Sequence, residues 1–150
     1  MSTLLRWGIL GTGNIARQFA AGVATGRRGK IGAIGSRTEQ AARDFAGQFN
    51  IPAAYGSYQE VLSDKNVDAV YISLPNSMHH EWTIKAAAAG KYVLCEKPIA
   101  ANAAEAMEMF EAADRAGVKL VEAFMDRSHP LTDAVLKHVR AGDVGQVKLV

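Results

Sequence analysis

The chain has 150 residues, 49% of them hydrophobic, enough for one domain with a substantial core. Its 17 Lys and Arg against 15 Asp and Glu leave a net charge of +2, and the basic residues are scattered, which argues against a nucleic-acid surface. The single cysteine, Cys95, excludes an intramolecular disulfide, no Cys/His cluster has zinc-ligand spacing, and the longest apolar runs are strand-sized, which argues against a membrane span.

Leu4 to Leu10 is nearly continuous in apolar residues and predicts a buried strand. It runs straight into a glycine loop and leaves no room for a signal peptide, which with the lone cysteine points to a cytoplasmic protein. Ile15, Phe19 and Val23 then recur at helical spacing, with Ala16 and Ala20 on the same face, as far as Gly26. Lys30 to Gly35 is a second strand. Thr38 is placed to cap a helix whose face is Ala41, Ala42, Phe45, Ala46 and Phe49, with Pro52 just beyond.

Ala53 to Tyr55 is a short strand, and Ser57 with Glu60 makes a capping box for a brief helix carrying Val61 and Leu62. Val67 to Leu74 is a fourth strand. Ser77 to Ala89 is helical and closes on Gly90. Tyr92 to Cys95 is a strand; Asn102 and Glu105 then open a helix expected to bury Ala103, Ala106, Met107, Phe110 and Ala113 before Gly117. Val118 to Phe124 is a sixth strand and Pro130 to Ala141 a further helix. Parallel strands need crossover connections, so this alternation predicts a doubly wound α/β domain of the Rossmann type, its parallel sheet covered on both faces.

Gly11-Thr12-Gly13-Asn14-Ile15-Ala16 lies between strand and helix, the context that makes such a loop a dinucleotide cradle. Gly11 permits the tight turn, Gly13 lets the backbone approach a pyrophosphate, and Ala16 takes the close-packing position. The helix from Asn14 offers N–H groups and a positive dipole end. At the end of the second strand, Ser36-Arg37-Thr38 stands where an NAD-preferring site usually has Asp or Glu. Arg37 can pair with a 2′-phosphate and stack on adenine, and Ser36 can donate a hydrogen bond, which favours NADP over NAD; the alternative is a solvated surface arginine. Glu39, close by, is placed to serve the helix dipole.

Leu74-Pro75-Asn76 follows the fourth strand at the carboxyl edge, where ligands bind in such sheets. Asn76 can read a nicotinamide ribose or carboxamide; His79 is one turn further on, where a histidine is more often a capping or surface group. Glu96-Lys97-Pro98 ends the fifth strand at the same edge. Lys97 can donate to a substrate hydroxyl or act in proton transfer, unless Glu96 and Lys97 merely form a solvated strand end.

Together these segments resemble the N-terminal half of the glucose–fructose oxidoreductase / inositol dehydrogenase / MocA (Gfo/Idh/MocA) family, from Trp7 to Val150. The resemblance rests on the glycine loop, Ser36-Arg37-Thr38, Pro75-Asn76-Ser77-Met78-His79, Gly90-Lys91-Tyr92-Val93-Leu94-Cys95-Glu96-Lys97-Pro98, and Glu122-Ala123-Phe124-Met125-Asp126-Arg127-Ser128-His129-Pro130. It implies an NAD(P)-dependent oxidoreductase acting on sugars, cyclitols or related hydroxy/keto compounds. Lys97 is then the catalytic residue, beside the nicotinamide and the reacting hydroxyl. The cofactor would be held by Gly11, Thr12, Gly13, Asn14, Ile15, Ser36, Arg37, Leu74, Asn76, His79, Glu96, Lys97 and Arg127, with no metal.

Two positions depart from the family pattern: Asp126 replaces a frequent aromatic residue, and Tyr92 a frequent histidine. Family members normally continue into a second α/β domain that covers the substrate, supplies an Asp and a His, and often forms an oligomer interface. The expected organisation is therefore a dinucleotide-binding domain over 1–125, then a connecting helix and the first strand of the second domain over 126–150, that strand beginning at Lys148-Leu149-Val150. Alone, the chain is expected to bind cofactor without turnover, and to meet a sugar-like substrate only with a second domain. A non-catalytic dinucleotide sensor or assembly module is the alternative.

Overall fold

The computed structural model describes residues 4–148. Its strands are β1 (Leu5–Leu10), β2 (Gly29–Gly35), β3 (Ala53–Tyr55), β4 (Ala69–Ile72), β5 (Tyr92–Cys95) and β6 (Leu120–Glu122). They form one sheet in the order β3-β2-β1-β4-β5-β6, and every pairing is parallel. The crossovers carry α1 (Asn14–Thr25), α2 (Glu39–Phe49), α3 (Tyr58–Ser63), α4 (His79–Ala88) and α5 (Ala103–Ala116), and α6 (Pro130–Ala141) follows β6. The strand order reverses between β1 and β4, which opens a crevice at their carboxyl ends.

Alternate strand residues face opposite sides, giving two cores. On one side Ile9, Ile34 and Tyr71 pack against Ala16 and Ala20 of α1 and Phe45 and Ala46 of α2. On the other, Leu10, Val70, Ile72 and Val93 meet Val61 and Leu62 of α3, Ala86 of α4 and Met109 of α5. Small residues bring α1 close to the sheet: Ala16 and Ala20 are its buried residues, while Phe19, half-buried, stacks on Tyr71 with ring centroids 4.0 Å apart.

Two polar ties fasten the amino ends of the strands. Arg6 donates to Asp68 at 2.6 and 2.9 Å, which holds the carboxyl below its ordinary range. Lys91 is buried and its Nζ donates to the carbonyls of Asp64 and Val67, each at 2.7 Å. Burial lowers its pKa below the usual lysine value.

Several expectations need correction. The fourth and sixth strands are shorter than their apolar runs, at Ala69–Ile72 and Leu120–Glu122, although Asp68, Ser73 and Ala123 each still donate one backbone hydrogen bond to the neighbouring strand. The helix expected from Ser77 begins instead with a 3-10 turn at Asn76–Met78, and α4 starts at His79. Ser57 caps α3 through the Glu60 N–H at 3.3 Å, but Glu60 answers to the serine hydroxyl rather than to its backbone. In α5 the buried face is Met109, Ala112 and Ala113; Met107 is 64% exposed and Phe110 also faces solvent. The helix carries two apolar stripes, and packing against α4 selects the second.

The sheet is not covered evenly either. On the side of α1, residues Leu5, Trp7, Ala69, Tyr92, Leu94 and Val121 border an open apolar hollow of about 270 Å³. Tyr92 and Val121 there are 46% and 53% exposed. No residue of α6 is buried. Of the strand expected at Lys148-Leu149-Val150, Lys148 lies outside any element, and Leu149 and Val150 fall outside the described residues. Among the described residues no helix is long and apolar enough to cross a membrane, and no group of His, Cys, Asp or Glu could hold a metal ion.

Candidate functional site

The glycine loop is locked across the β1/β4 crevice. Gly11 has φ +102°, its N–H donates to Gly35 O at 2.9 Å, and a Cβ there would lie 3.1 Å from Ser73 Oγ and 3.2 Å from Ser73 O. Both a side chain and the conformation are therefore disfavoured for any other residue. Ser73 holds the other side, donating through its backbone N–H and its hydroxyl to Leu10 O at 3.1 and 2.8 Å.

At Gly13, by contrast, a Cβ would project into open space. Gly13 caps α1 in an extended conformation, without a side-chain hydrogen bond and with no acidic residue in the first turn. Two of the other crossover helices, α2 and α5, differ. Thr38 caps α2 with Glu39 behind it, and Asn102 caps α5 with Glu105 behind it. Those ends are closed by their own side chains, whereas α1 leaves its first N–H groups and positive dipole end for an outside anion.

That opening forms part of a cleft of about 450 Å³ lined by Gly11, Thr12, Gly13, Ser36, Arg37, Tyr58, Ser73, Leu74, Pro75 and Met78. Among the described residues no carboxylate lines it. Ser36 is buried and its N–H donates to Tyr55 O at 3.1 Å, while Arg37 is exposed. The lining fits a phosphorylated nucleoside: unpaired donors and a guanidinium at one level, apolar surface from Leu74, Pro75 and Met78 at another. A larger hollow of about 640 Å³, lined in part by Arg6, Lys30, Asp64 and Asn66, lies by the amino end of β1 and lacks the glycine loop.

Six residues expected from the sequence line the cleft: Gly11, Thr12, Gly13, Ser36, Arg37 and Leu74. Asn14, Ile15, Asn76, His79, Glu96, Lys97 and Arg127 do not. Asn14 opens α1, and half-buried Ile15 packs on the core. Asn76, Lys97 and Arg127 are exposed, Arg127 within a short turn at Met125–Ser128.

His79 is fully buried, with Nδ1 2.9 Å from Pro98 O and Nε2 2.9 Å from Leu74 O. The ring has no free nitrogen for the direct cofactor contact expected of it. It ties the segment after β4 to the segment after β5, and so fixes the two loops that carry Asn76 and Lys97. Glu96 is buried as well, which rules out a wholly solvated strand end. Its carboxylate accepts from the Tyr71 hydroxyl and, at 3.2 Å, from the Lys97 N–H. Burial and that carboxylate raise the Tyr71 pKa well above the usual phenol value, so Tyr71 stays protonated and donates. Glu122 Oε1 accepts from the Ile99 N–H at 2.8 Å, holding the next residues of the same loop. Burial pushes the neighbouring Cys95 thiol up to about 12, which makes it an inert core residue.

Sequence reasoning missed Tyr58, Ser73, Pro75 and Met78 as lining residues. Pro75 and Met78 lie within the stretch already marked at the carboxyl edge. Tyr58 and Ser73 reach the cleft only through sheet order, which places β2 and β4 on either side of β1.

A family model described as an oxidoreductase family with an NAD-binding Rossmann fold matches residues 5–124. A D-xylose 1-dehydrogenase (NADP(+)) of Haloferax volcanii is 43% identical over 143 residues, covering 95% of this chain and 44% of its own length. A trans-1,2-dihydrobenzene-1,2-diol dehydrogenase of Mus musculus is 39% identical over 147 residues, covering 97% and 44%. A solved 3-ketoreductase from Actinomadura kijaniata, in complex with NADP, superposes with a TM-score of 0.90 at 32% identity, over 96% of this chain and 46% of that one. The chain spans less than half the length of these relatives.

Proposed function

This chain belongs to the Gfo/Idh/MocA oxidoreductase family as an NAD(P)-binding domain, and from that premise we propose that it holds NADP in preference to NAD for hydride transfer to or from a sugar, cyclitol or related hydroxy/keto compound. The observation that carries the proposal is the open amino end of α1 beside a cleft lined by Ser36 and Arg37 and by no carboxylate.

The first N–H groups of α1 take the pyrophosphate, and Arg37 with Ser36 takes the 2′-phosphate. Asn76 orients the nicotinamide end, and Arg127 helps to hold the cofactor. Lys97 donates to the reacting oxygen and moves its proton. Glu96 and His79 act behind it as positioning groups, holding the Lys97 N–H and the Pro98 carbonyl. The cofactor, when bound, supplies the hydride chemistry.

In this reading 1–125 is the dinucleotide-binding domain and 126–150 leads into a second domain that completes the substrate pocket, a division supported by the greater length of the relatives. The chain by itself binds cofactor in a cytoplasmic setting without turnover, because water is not excluded from Lys97.

Titration of the chain with NADPH, read by nucleotide fluorescence, tests the proposal, and absence of binding at millimolar cofactor overturns it. Gly13→Val should lower melting only slightly, as for a poorer N-cap, yet weaken binding about tenfold or more, since the added side chain fills space that only a ligand would use. Arg37→Asp should weaken NADPH more than NADH; equal losses would remove Arg37 from the 2′-phosphate. A non-catalytic sensor draws support from the bare apolar half of the sheet. Reduction of NADP in a sugar screen, dependent on Lys97, would exclude it.

A further inference from the structure

Tyr58, the first residue of α3, lines the cleft together with Arg37. It is only 9% exposed, and its ring meets Trp82 edge-on, with centroids 5.1 Å apart. Packing alone would be served by phenylalanine. The hydroxyl is also set apart from those of Tyr55, bound to Asp64 at 3.2 Å, and Tyr71, bound to Glu96. Among the described residues no protein group hydrogen-bonds the Tyr58 hydroxyl. Nor is that oxygen sealed off: the buried side-chain polar atoms without partners are Trp82 Nε1 and Thr83 Oγ1. A hydroxyl that the protein leaves unpaired, and that still reaches the cleft from a nearly buried ring, is held in place and free to donate to a ligand. Burial raises the phenol pKa, and the nearby Arg37 charge only partly offsets this, so the group remains a donor.

We propose that Tyr58 is a specificity-determining residue for the adenosine end of the cofactor, its hydroxyl donating to the 2′-phosphate alongside Arg37 and Ser36. The inference rests on the NADP reading above. A phosphate oxygen accepts a charge-assisted hydrogen bond, about twice as strong as the neutral bond a ribose hydroxyl can make. Loss of the Tyr58 oxygen therefore penalises NADPH more than NADH.

Tyr58→Phe removes that one oxygen and keeps the ring against Trp82. The 150-residue chain and the variant are titrated with NADPH and with NADH, read by nucleotide fluorescence and by quenching of tryptophan emission. NADPH affinity should fall about tenfold, as for a lost hydrogen bond to a charged group, with NADH changed less than twofold. Unchanged NADPH affinity, or equal losses for both, overturns the assignment. A cycle with Arg37→Ala guards against a folding effect: two groups sharing one phosphate should lose less together than the sum of their separate losses, and strict additivity would count against the shared contact. If the unaltered chain binds neither cofactor, the NADP reading falls and the Tyr58 role with it. If it binds NADPH and Tyr58→Phe binds equally well, only the Tyr58 role falls.

Discussion

Over the carboxyl-terminal halves of β1, β2 and β4 the sheet is closed on both faces, with Ile9, Ile34 and Tyr71 sealed beneath α1 and α2 and Leu10, Val70 and Ile72 beneath α3 and α4. Over β5 and β6 one face is closed by α4 and α5, and the other stays open around Tyr92, Leu94 and Val121. The difference runs through the site. Gly11, Ser36 and Ser73 stand on the closed part and are held by backbone hydrogen bonds. Lys97 and Arg127 stand exposed beyond the open part. The end of the cleft that grips phosphate is thus preorganised by packing, while the end assigned to chemistry is fixed from behind, by Glu96 and His79.

The sharpest contrast can be drawn within one helix. Met109→Ala should cost about 2–5 kcal/mol, as for a fully buried methionine, whereas Met107→Ala should stay within about 0.5 kcal/mol. Denaturant titration of both variants checks this, and the reverse ranking would mean that α5 presents its other stripe to the core. Next in size is His79→Leu, which removes the imidazole lying between the carbonyls of Leu74 and Pro98 and with it the N–H that one of them accepts. A loss of about 1–3 kcal/mol is expected, with faster amide exchange in the Lys97–Ala100 loop. A variant as stable as the parent would break the link between the two parts of the sheet.

A smaller effect belongs to Asp68, whose carboxyl is held below the ordinary value of 3.8 by Arg6. A depressed folded-state pKa means that the stabilisation is present above 3.8 and is lost as the pH falls through the lower, folded value. Asp68→Asn should therefore flatten the melting temperature against pH below about pH 4, modestly, because both side chains are about one-third exposed. An acid limb identical to the parent's would deny the pair any role. Least of all should come from Val121→Ala on the open face, within about 0.5 kcal/mol by chemical denaturation. A loss above about 1 kcal/mol would show that this face is covered in solution.

The parts of the fold legible in the sequence were those decided over a few neighbouring residues. Gly11 and Gly13 between an apolar run and a helical repeat, Thr38 and Asn102 ahead of their helices, and Gly90 after one, act through local backbone chemistry. The stripe chosen in α5 was not legible, because Met107 with Phe110 and Met109 with Ala112 and Ala113 both satisfy helical spacing. Only the placement of α4 separates them. His79 could be marked by its position near the carboxyl edge, but its partners lie five residues before it and nineteen after it. Tyr58 gave a weaker signal still, an aromatic residue behind a capping serine, whose nearness to Arg37 depends on β2 and β3 pairing.

The position of β1 at the middle of the sheet bears on how the chain can be assembled. It pairs with β2 on one side, but its other edge waits for Ala69 to Ile72, some sixty residues later. During vectorial synthesis Trp7 to Leu10 therefore presents an apolar, unpaired parallel edge while α1, β2, α2, β3 and α3 are being made. Such an edge invites pairing with the wrong strand or with another nascent chain until β4 arrives to fill it.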